Sequence, residues 1–162
     1  METTFRELFE AHFDFVVRTL LRLGVREADV DDVAQELFLA VHKALDSWDR
    51  ARSIRPWLFG FAHKFAANYR RLGWHRGREL EDDPISARIV DKLHARDVVL
   101  RVLDTMDFDQ RALIVMHDLE EFSAVEIAAQ LNVPVNTVYS RVRVGRQAFR
   151  EALATLGETA NV

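Results

Sequence analysis

Asn136, Thr137, Tyr139, Ser140, Arg141 and Arg143 crowd into one short stretch that contains no acid. Arg and Asn can each offer paired hydrogen bonds to a base edge, to guanine and adenine respectively, while Thr, Ser and Tyr hydroxyls suit phosphate oxygens. Val138, Val142, Gly145, Phe149, Ala152 and Leu156 recur at helical spacing on the opposite face, so the polar set points outward from a helix. Just upstream, Ser123-Ala124-Val125-Glu126 has the spacing of a capping box, in which the hydroxyl and the carboxylate each satisfy the other residue's backbone N–H. The helix it opens, Val125 to Leu131, carries a small residue, Ala128, where two helices must cross closely. Asn132 then stands where a left-handed turn is required, a conformation Asn tolerates better than most residues, and Pro134 helps to end one helix before the next. The other reading is an ordinary helical hairpin with a polar outer face, but the capping box, the crossing Ala, the Asn turn and the basic exposed face coincide within one short stretch. Residues 123–146 are expected to form a helix-turn-helix that sets its second helix in the major groove of duplex DNA.

A different chemistry is concentrated in residues 51–78. Arg52, Arg55, Lys64, Arg70, Arg71, Arg76 and Arg78 alternate there with Trp57, Phe59, Phe61, Phe65, Tyr69 and Trp74, and no acid interrupts them. Basic side chains track a phosphate backbone, and aromatic rings can stack on bases once strands separate. Phe61, Phe65 and much of Trp57 are also suited to filling a core. The block's charge of +7 is flanked by −5 over residues 1–50 and −7 over 79–122, with +1 over 123–162, within a chain of net −4. The overall acidity does not exclude a nucleic acid, because phosphate attraction is local and screened beyond about 10 Å. Taken alone, however, such a run reads as a solvated face. In the free protein the −7 segment, above all Glu79, Glu81, Asp82 and Asp83, is expected to shield the basic block.

Asp31, Asp32, Gln35, Glu36, Leu39, His42 and Lys43 form a third group, mostly off the apolar face of one helix. An apolar Leu39 among solvated polar neighbours is a candidate docking point.

The elements that must position these groups are all helical. Phe5, Leu8, Phe9, His12, Phe13, Val16, Val17, Leu20 and Leu21 make a wide apolar stripe that Gly24 stops. A second helix is expected from about Asp29 to Leu45, and a third from near Pro56 to about Arg71, with Trp57, Phe61, Phe65 and Tyr69 in one row. Beyond Gly73, the stretch 73–86 holds two glycines, Pro84 and the acidic run and reads as a linker. Periodicity resumes at Ile89 and Leu93 and runs through Met106, and a further helix is expected at about Asp109 to Leu119. The predicted architecture is all-α: two small helical bundles joined by an acidic linker. Its divisions are 1–75, a linker 76–93, and a helix-turn-helix unit 94–158.

Several function classes lack their residues. There is no cysteine, which excludes disulfides and thiolate metal sites. No Gly-rich phosphate loop or H-E-x-x-H occurs, and the six histidines are scattered. Glu120-Glu121 and Asp82-Asp83 read as solvated loop acids rather than a catalytic pair. No catalytic centre, metal or cofactor is expected. No apolar run approaches a membrane span, and Met1-Glu2-Thr3-Thr4 lacks the order of a signal peptide, so a cytoplasmic protein without membrane insertion is expected.

Three segments together resemble the extracytoplasmic-function (ECF) sigma factors, the bacterial RNA polymerase subunits of the sigma-70 family. Ala28-Asp29-Val30-Asp31-Asp32-Val33-Ala34-Gln35-Glu36-Leu37-Phe38-Leu39 is similar to their polymerase-binding helix. Arg55-Pro56-Trp57-Leu58-Phe59-Gly60-Phe61-Ala62, continuing to Ala67-Asn68-Tyr69-Arg70-Arg71, is similar to their promoter-melting segment, and Ser123 to Arg143 to their minus-35 module. The resemblance implies that Asp32, Gln35, Glu36 and Leu39 meet the β′ clamp helices of core RNA polymerase. It implies that Trp57, Lys64, Asn68, Arg70 and Arg71 lie along the non-template strand at the minus-10 element. Asn136, Thr137, Tyr139, Ser140, Arg141 and Arg143 would meet the minus-35 duplex. Many members have Arg-Asn after the Ala of the melting helix, where this chain has His63-Lys64. Lys grips phosphate but cannot copy the paired donor and acceptor of an amide, so the resemblance carries strand binding at Lys64 and not base preference.

The function implied is that of a transcription initiation factor, not an enzyme. It would bind core polymerase, including the β flap, and promoter DNA, would have an anti-sigma factor, and would be monomeric within the holoenzyme. Two other readings stay open at this point. One is a conventional helix-turn-helix regulator binding an operator as a dimer without polymerase. The other is a protein that keeps the fold but sequesters a partner.

Overall fold

The computed structural model describes residues 4–77 and 95–160, and every regular element among them is helical. Helix α1 spans Phe5–Arg22 and opens on a capping box: Glu7 N–H donates to Thr4 Oγ1 at 3.3 Å while Thr4 N–H donates to Glu7 Oε2 at 3.0 Å. It stops where Gly24 takes φ +104, a backbone state open to glycine at little cost. Helix α2 (Val30–Ala44) has Asp31 and Asp32 in its first turn and His42 and Lys43 in its last, the order the helix dipole favours. A 3₁₀ turn, Leu45–Ser47, leads to α3 (Ile54–Gly77), with Pro56 in the first turn, where its missing N–H costs nothing.

Helix α3 runs past the end expected near Arg71, straight through Gly73, which has nothing within 4 Å of its Cβ position. The stretch 78–94, which holds nearly all of the expected linker with its acidic run, lies outside the described residues. The chain re-enters in α4 (Ala95–Thr105), followed by α5 (Phe108–Ile114). The single helix expected over 109–119 is instead α5 running into a π-helical turn, Val115–Leu119. Helices α6 (Ala124–Leu131) and α7 (Val135–Ala160) complete the fold.

Helices α1, α2 and α3 pack on one another, and α4, α5 and α6 each pack on α7. These are the two expected bundles, but they do not stand apart. Helix α6 lies against α3 and α4 against α1. The buried side chains, from Leu8 and Phe38 to Ile127 and Val142, form one continuous apolar cluster.

Candidate nucleic-acid interface

The C-terminal motif is assembled by local bonds. Ser123 Oγ accepts from Glu126 N–H at 3.1 Å, and Glu126 Oε2 accepts from Ser123 N–H at 2.9 Å. Asn132 sits in the left-handed region, φ 55 and ψ 50, with its N–H donating to the Ala128 carbonyl. Val138 and Val142 are buried. Gly145 lets α7 close on α5, since a Cβ there would stand 3.2 Å from Ile114 Cδ1. Fixing that inner face leaves Asn136, Tyr139, Ser140, Arg141 and Arg143 exposed and Thr137 half-buried. The helix is anchored further along by Arg146, which grips Asp118 with bonds of 2.9 and 2.6 Å. The bond from Arg146 is the main reason the Asp118 carboxyl lies below the ordinary carboxylate range.

The basic helix divides its residues between two sides. Lys64, Asn68 and Arg71 share an open groove of about 440 Å³, in which Arg71 Nη2 donates to Asn68 Oδ1 at 2.8 Å. Trp57 is half-buried, edge-on to Phe61 and stacked on Trp48 with ring centroids 6.1 Å apart. Arg70 is turned away from Lys64, Asn68 and Arg71, with its guanidinium over the Phe108 ring at 5.0 Å. Tyr69 hydrogen-bonds Asp29 and so ties α3 to the start of α2; burial, then that bond, raises the phenol's pKa. On α2, Asp32, Gln35 and Glu36 are exposed and Leu39 is 65% exposed, while Leu37, Phe38 and Val41 turn inward.

One expectation for the loop acids is corrected. Glu120 is not solvated: its side chain is 3% exposed, and it accepts from Arg18 at 3.1 and 3.2 Å and from Arg22 at 2.7 Å. Beside it Arg111, 1% exposed, donates Nε–H to the Arg22 carbonyl and pairs with Asp104 at 3.0 Å. Neither residue had a signal in its neighbourhood, because every partner but Asp104 lies on a distant helix. Trp48 was also missed, although its ring stacks on Trp57 and carries Arg50 at 4.8 Å.

With these two surfaces built on two bundles, the comparisons with known proteins fall in the same places. Residues 8–76 match the family model for sigma-70 region 2 and residues 96–149 that for sigma-70 region 4. The ECF RNA polymerase sigma-E factor of Escherichia coli (strain K12) is 29% identical over 158 residues, covering 88% of this chain and 83% of that protein. The chain belongs to the sigma-70 family, in its extracytoplasmic-function group. As a sigma factor it directs RNA polymerase to promoters, and the region 2 match excludes a helix-turn-helix regulator built on an unrelated partner domain. The ECF sigma factor SigE of Mycolicibacterium smegmatis is 31% identical over 162 residues, covering 91% of this chain and 61% of that protein. In three dimensions this sigma factor is similar to CnrH, solved in complex with the cytosolic domain of CnrY, with a TM-score of 0.71, 28% identity and coverage of 93% and 88%. It shares its fold with the sigma factor RpoE solved with the anti-sigma factor NepR from Bartonella quintana, at TM-score 0.68, 20% identity and coverage of 93% and 96%.

Proposed function

We propose that the two bundles divide promoter recognition between them. The outer row of α7, Asn136, Thr137, Tyr139, Ser140, Arg141 and Arg143, reads the minus-35 duplex. Lys64, Asn68 and Arg71, with Trp57 and Arg70, hold the non-template strand at the minus-10 element. Asp32, Gln35, Glu36 and Leu39 dock on the β′ clamp helices of core polymerase, and the C-terminal bundle meets the β flap. The observation that carries this reading is the pairing of two exposed basic surfaces, each presented by a helix whose opposite face is locked into a core. Salt-dependent phosphate contacts supply affinity on both surfaces, and the polar row on α7 supplies base reading.

The similarity to proteins solved with CnrY and NepR supports an anti-sigma partner for this chain as well. No described helix is long and apolar enough to cross a membrane. A cytoplasmic location and a monomer within holoenzyme belong to the same proposed reading.

In vitro transcription with core polymerase tests the reading. Promoter-dependent transcripts are expected, and the double variant Arg141→Ala/Arg143→Ala should lose them more than about tenfold while still binding core. A chain that binds core but never initiates is a sequestering protein instead, and that outcome would falsify the proposal.

A further inference from the structure

Two guanidinium groups converge on Gly24, just beyond the end of α1. A Cβ there would stand 3.3 Å from Arg111 Nη1 and 3.4 Å from Arg70 Nη1. Only a residue without a side chain leaves both cations this close to one backbone turn. They line a pocket of about 800 Å³ bounded by α1, α3, α4 and α5. Leu21, Val25 and Leu100 give it an apolar wall, and Arg26 brings a third cation to it.

Neither guanidinium has all its N–H groups engaged. Arg111, 1% exposed, donates from Nε to the Arg22 carbonyl and pairs through Nη1 with Asp104. Its Nη2 is sealed from solvent with no hydrogen-bond partner among the described residues. A buried charged donor left unpaired is costly, so a further acceptor would stabilise this arrangement. Arg70 lies over the Phe108 ring, and no ion pair among the described residues includes Arg70 or Arg26. Burial is the main cause lowering the Arg111 pKa; the Arg70 charge adds to it, and Asp104 opposes both. Two like charges thus face one cavity, a repulsion that an anion relieves and a neutral ligand does not.

We infer that this pocket binds a phosphate monoester of about mononucleotide size, with Arg70 and Arg111 as its phosphate ligands. Planar guanidinium forks match phosphate oxygens in pairs. Glu27, Asp97 and Asp104 lie on the same lining and set the rest of the ligand's chemistry. They repel additional negative charge and accept from hydroxyl or amino groups, so one phosphate with several donors fits better than a polyanion. The volume falls within the roughly 300–1,000 Å³ usual for small-molecule sites. The site shares Arg70 with the strand surface proposed above but none of Lys64, Asn68 and Arg71, so it stands whether or not α3 holds a strand.

Isothermal titration calorimetry of the full chain at fixed ionic strength tests the site. The probes are the ribonucleoside 5′-monophosphates AMP, GMP, CMP and UMP, and inorganic phosphate. At least one monophosphate should bind, and more tightly than inorganic phosphate does. Arg70→Gln should weaken that binding at least about tenfold, as the loss of a charge-assisted hydrogen bond requires. Arg150→Gln, which makes the same change in net charge at an exposed position on α7, should not. Asp104→Asn removes the carboxylate that competes for Arg111, at a side chain 63% exposed, and should tighten binding about two- to fivefold. Should circular dichroism show Arg70→Gln unfolded, Arg26→Gln and Asp104→Asn carry the test, with weaker and tighter binding expected in turn. No binding of any monophosphate overturns the site, and so does equal affinity in the parent and a folded Arg70→Gln. Tighter binding of inorganic phosphate than of every monophosphate overturns the ligand class. Loss of binding in Lys64→Ala with retention in Arg70→Gln would put the nucleotide on the open face of α3 and overturn the assignment as well.

Discussion

Arg22 and Glu120 stand 98 positions apart in the chain, yet their charged ends meet at 2.7 Å across the seam between the two bundles. Arg18 completes the contact but keeps more of its side chain in solvent than Arg22 does.

That asymmetry orders the cost of removing each partner. Glu120→Ala deletes the acceptor of three charge-assisted bonds, and is expected to cost about 1–3 kcal/mol. Arg18→Ala leaves the carboxylate held by Arg22 and should cost less. Urea denaturation followed by circular dichroism checks both; a larger loss for Arg18→Ala than for Glu120→Ala would show that the shared carboxylate is not the anchor.

Acid should weaken the fold in two steps. Burial holds His12 and His63 below the usual histidine value of 6.5, Arg55 adding to the effect at His12 and Asp109 opposing it at His63. As pH falls through 6.5 the unfolded chain takes up protons that these folded histidines resist, so stability declines. Asp118 works lower. Its carboxyl is depressed by Arg146 from 3.8, so its contribution is present above that value and is lost as pH falls below it. Melting temperature should therefore drop between pH 7 and 5, and His63→Gln should flatten the slope in that window. A slope unchanged in His63→Gln would remove His63 as a source.

Legibility in the sequence followed the range of the interactions. The helix-turn-helix was readable because its determinants are local: Ser123 with Glu126, Ala128 with Asn132, and the apolar row from Val138 to Leu156. Leu39 was readable as an exposed apolar residue for the same reason, since its neighbours on α2 alternate inward and outward by helical period alone. The end of α3 was misjudged at Gly73 because a glycine in open solvent weakens a helix by only about 1 kcal/mol relative to Ala, and α3 carries on through it. The π turn at Val115–Leu119 has almost the same spacing of apolar residues as an α-helix. The seam left no trace, because Glu120 beside Glu121 looks like any exposed acidic pair until Arg18 and Arg22 are brought to it. For Arg70, periodicity sets only its angle around α3; that this angle meets Phe108 depends on where α5 packs.

At Asn132 the left-handed backbone, φ 55, favours Asn or Gly over branched residues for the turn. Asn132→Gly should be within about 0.5 kcal/mol of the parent, whereas Asn132→Val should lose about 1–2 kcal/mol because a branched Cβ is strained there. Minus-35 duplex binding should fall in step with stability only for Val. Equal tolerance of both substitutions would mean that the turn has relaxed to another conformation.

Gly145 offers a sharper contest between two effects. An alanine gains about 0.5–1 kcal/mol of helix propensity, but its Cβ meets Ile114 Cδ1 and Cγ1, each at 3.2 Å. Gly145→Leu has no such choice and should destabilise the C-terminal bundle by about 1–3 kcal/mol through overpacking. Ile114→Val removes the Cδ1 methyl, so combining it with Gly145→Ala should be less harmful than the two separate losses together. Simple additivity in urea denaturation would place the crowding elsewhere than at Ile114 Cδ1.

Lys64 and Asn68 lie on one open face of α3 but offer a strand different things. The ammonium is a point charge for phosphate, and the amide presents both a donor and an acceptor that can discriminate between bases. Lys64→Ala should therefore weaken binding of all single strands alike and reduce the salt slope by about 0.7. Asn68→Ala should leave that slope unchanged and alter the ranking of oligonucleotides that differ at single positions. Arg71 holds the Asn68 carbonyl oxygen at 2.8 Å, which fixes the amide's orientation and leaves its NH₂ to face a base. Arg71→Lys keeps the charge but not the fork, so it should retain the salt slope while blurring base preference as Asn68→Ala does. Titrations at several salt concentrations separate these outcomes. A salt slope that changes with Asn68 rather than with Lys64 would reverse the two assignments.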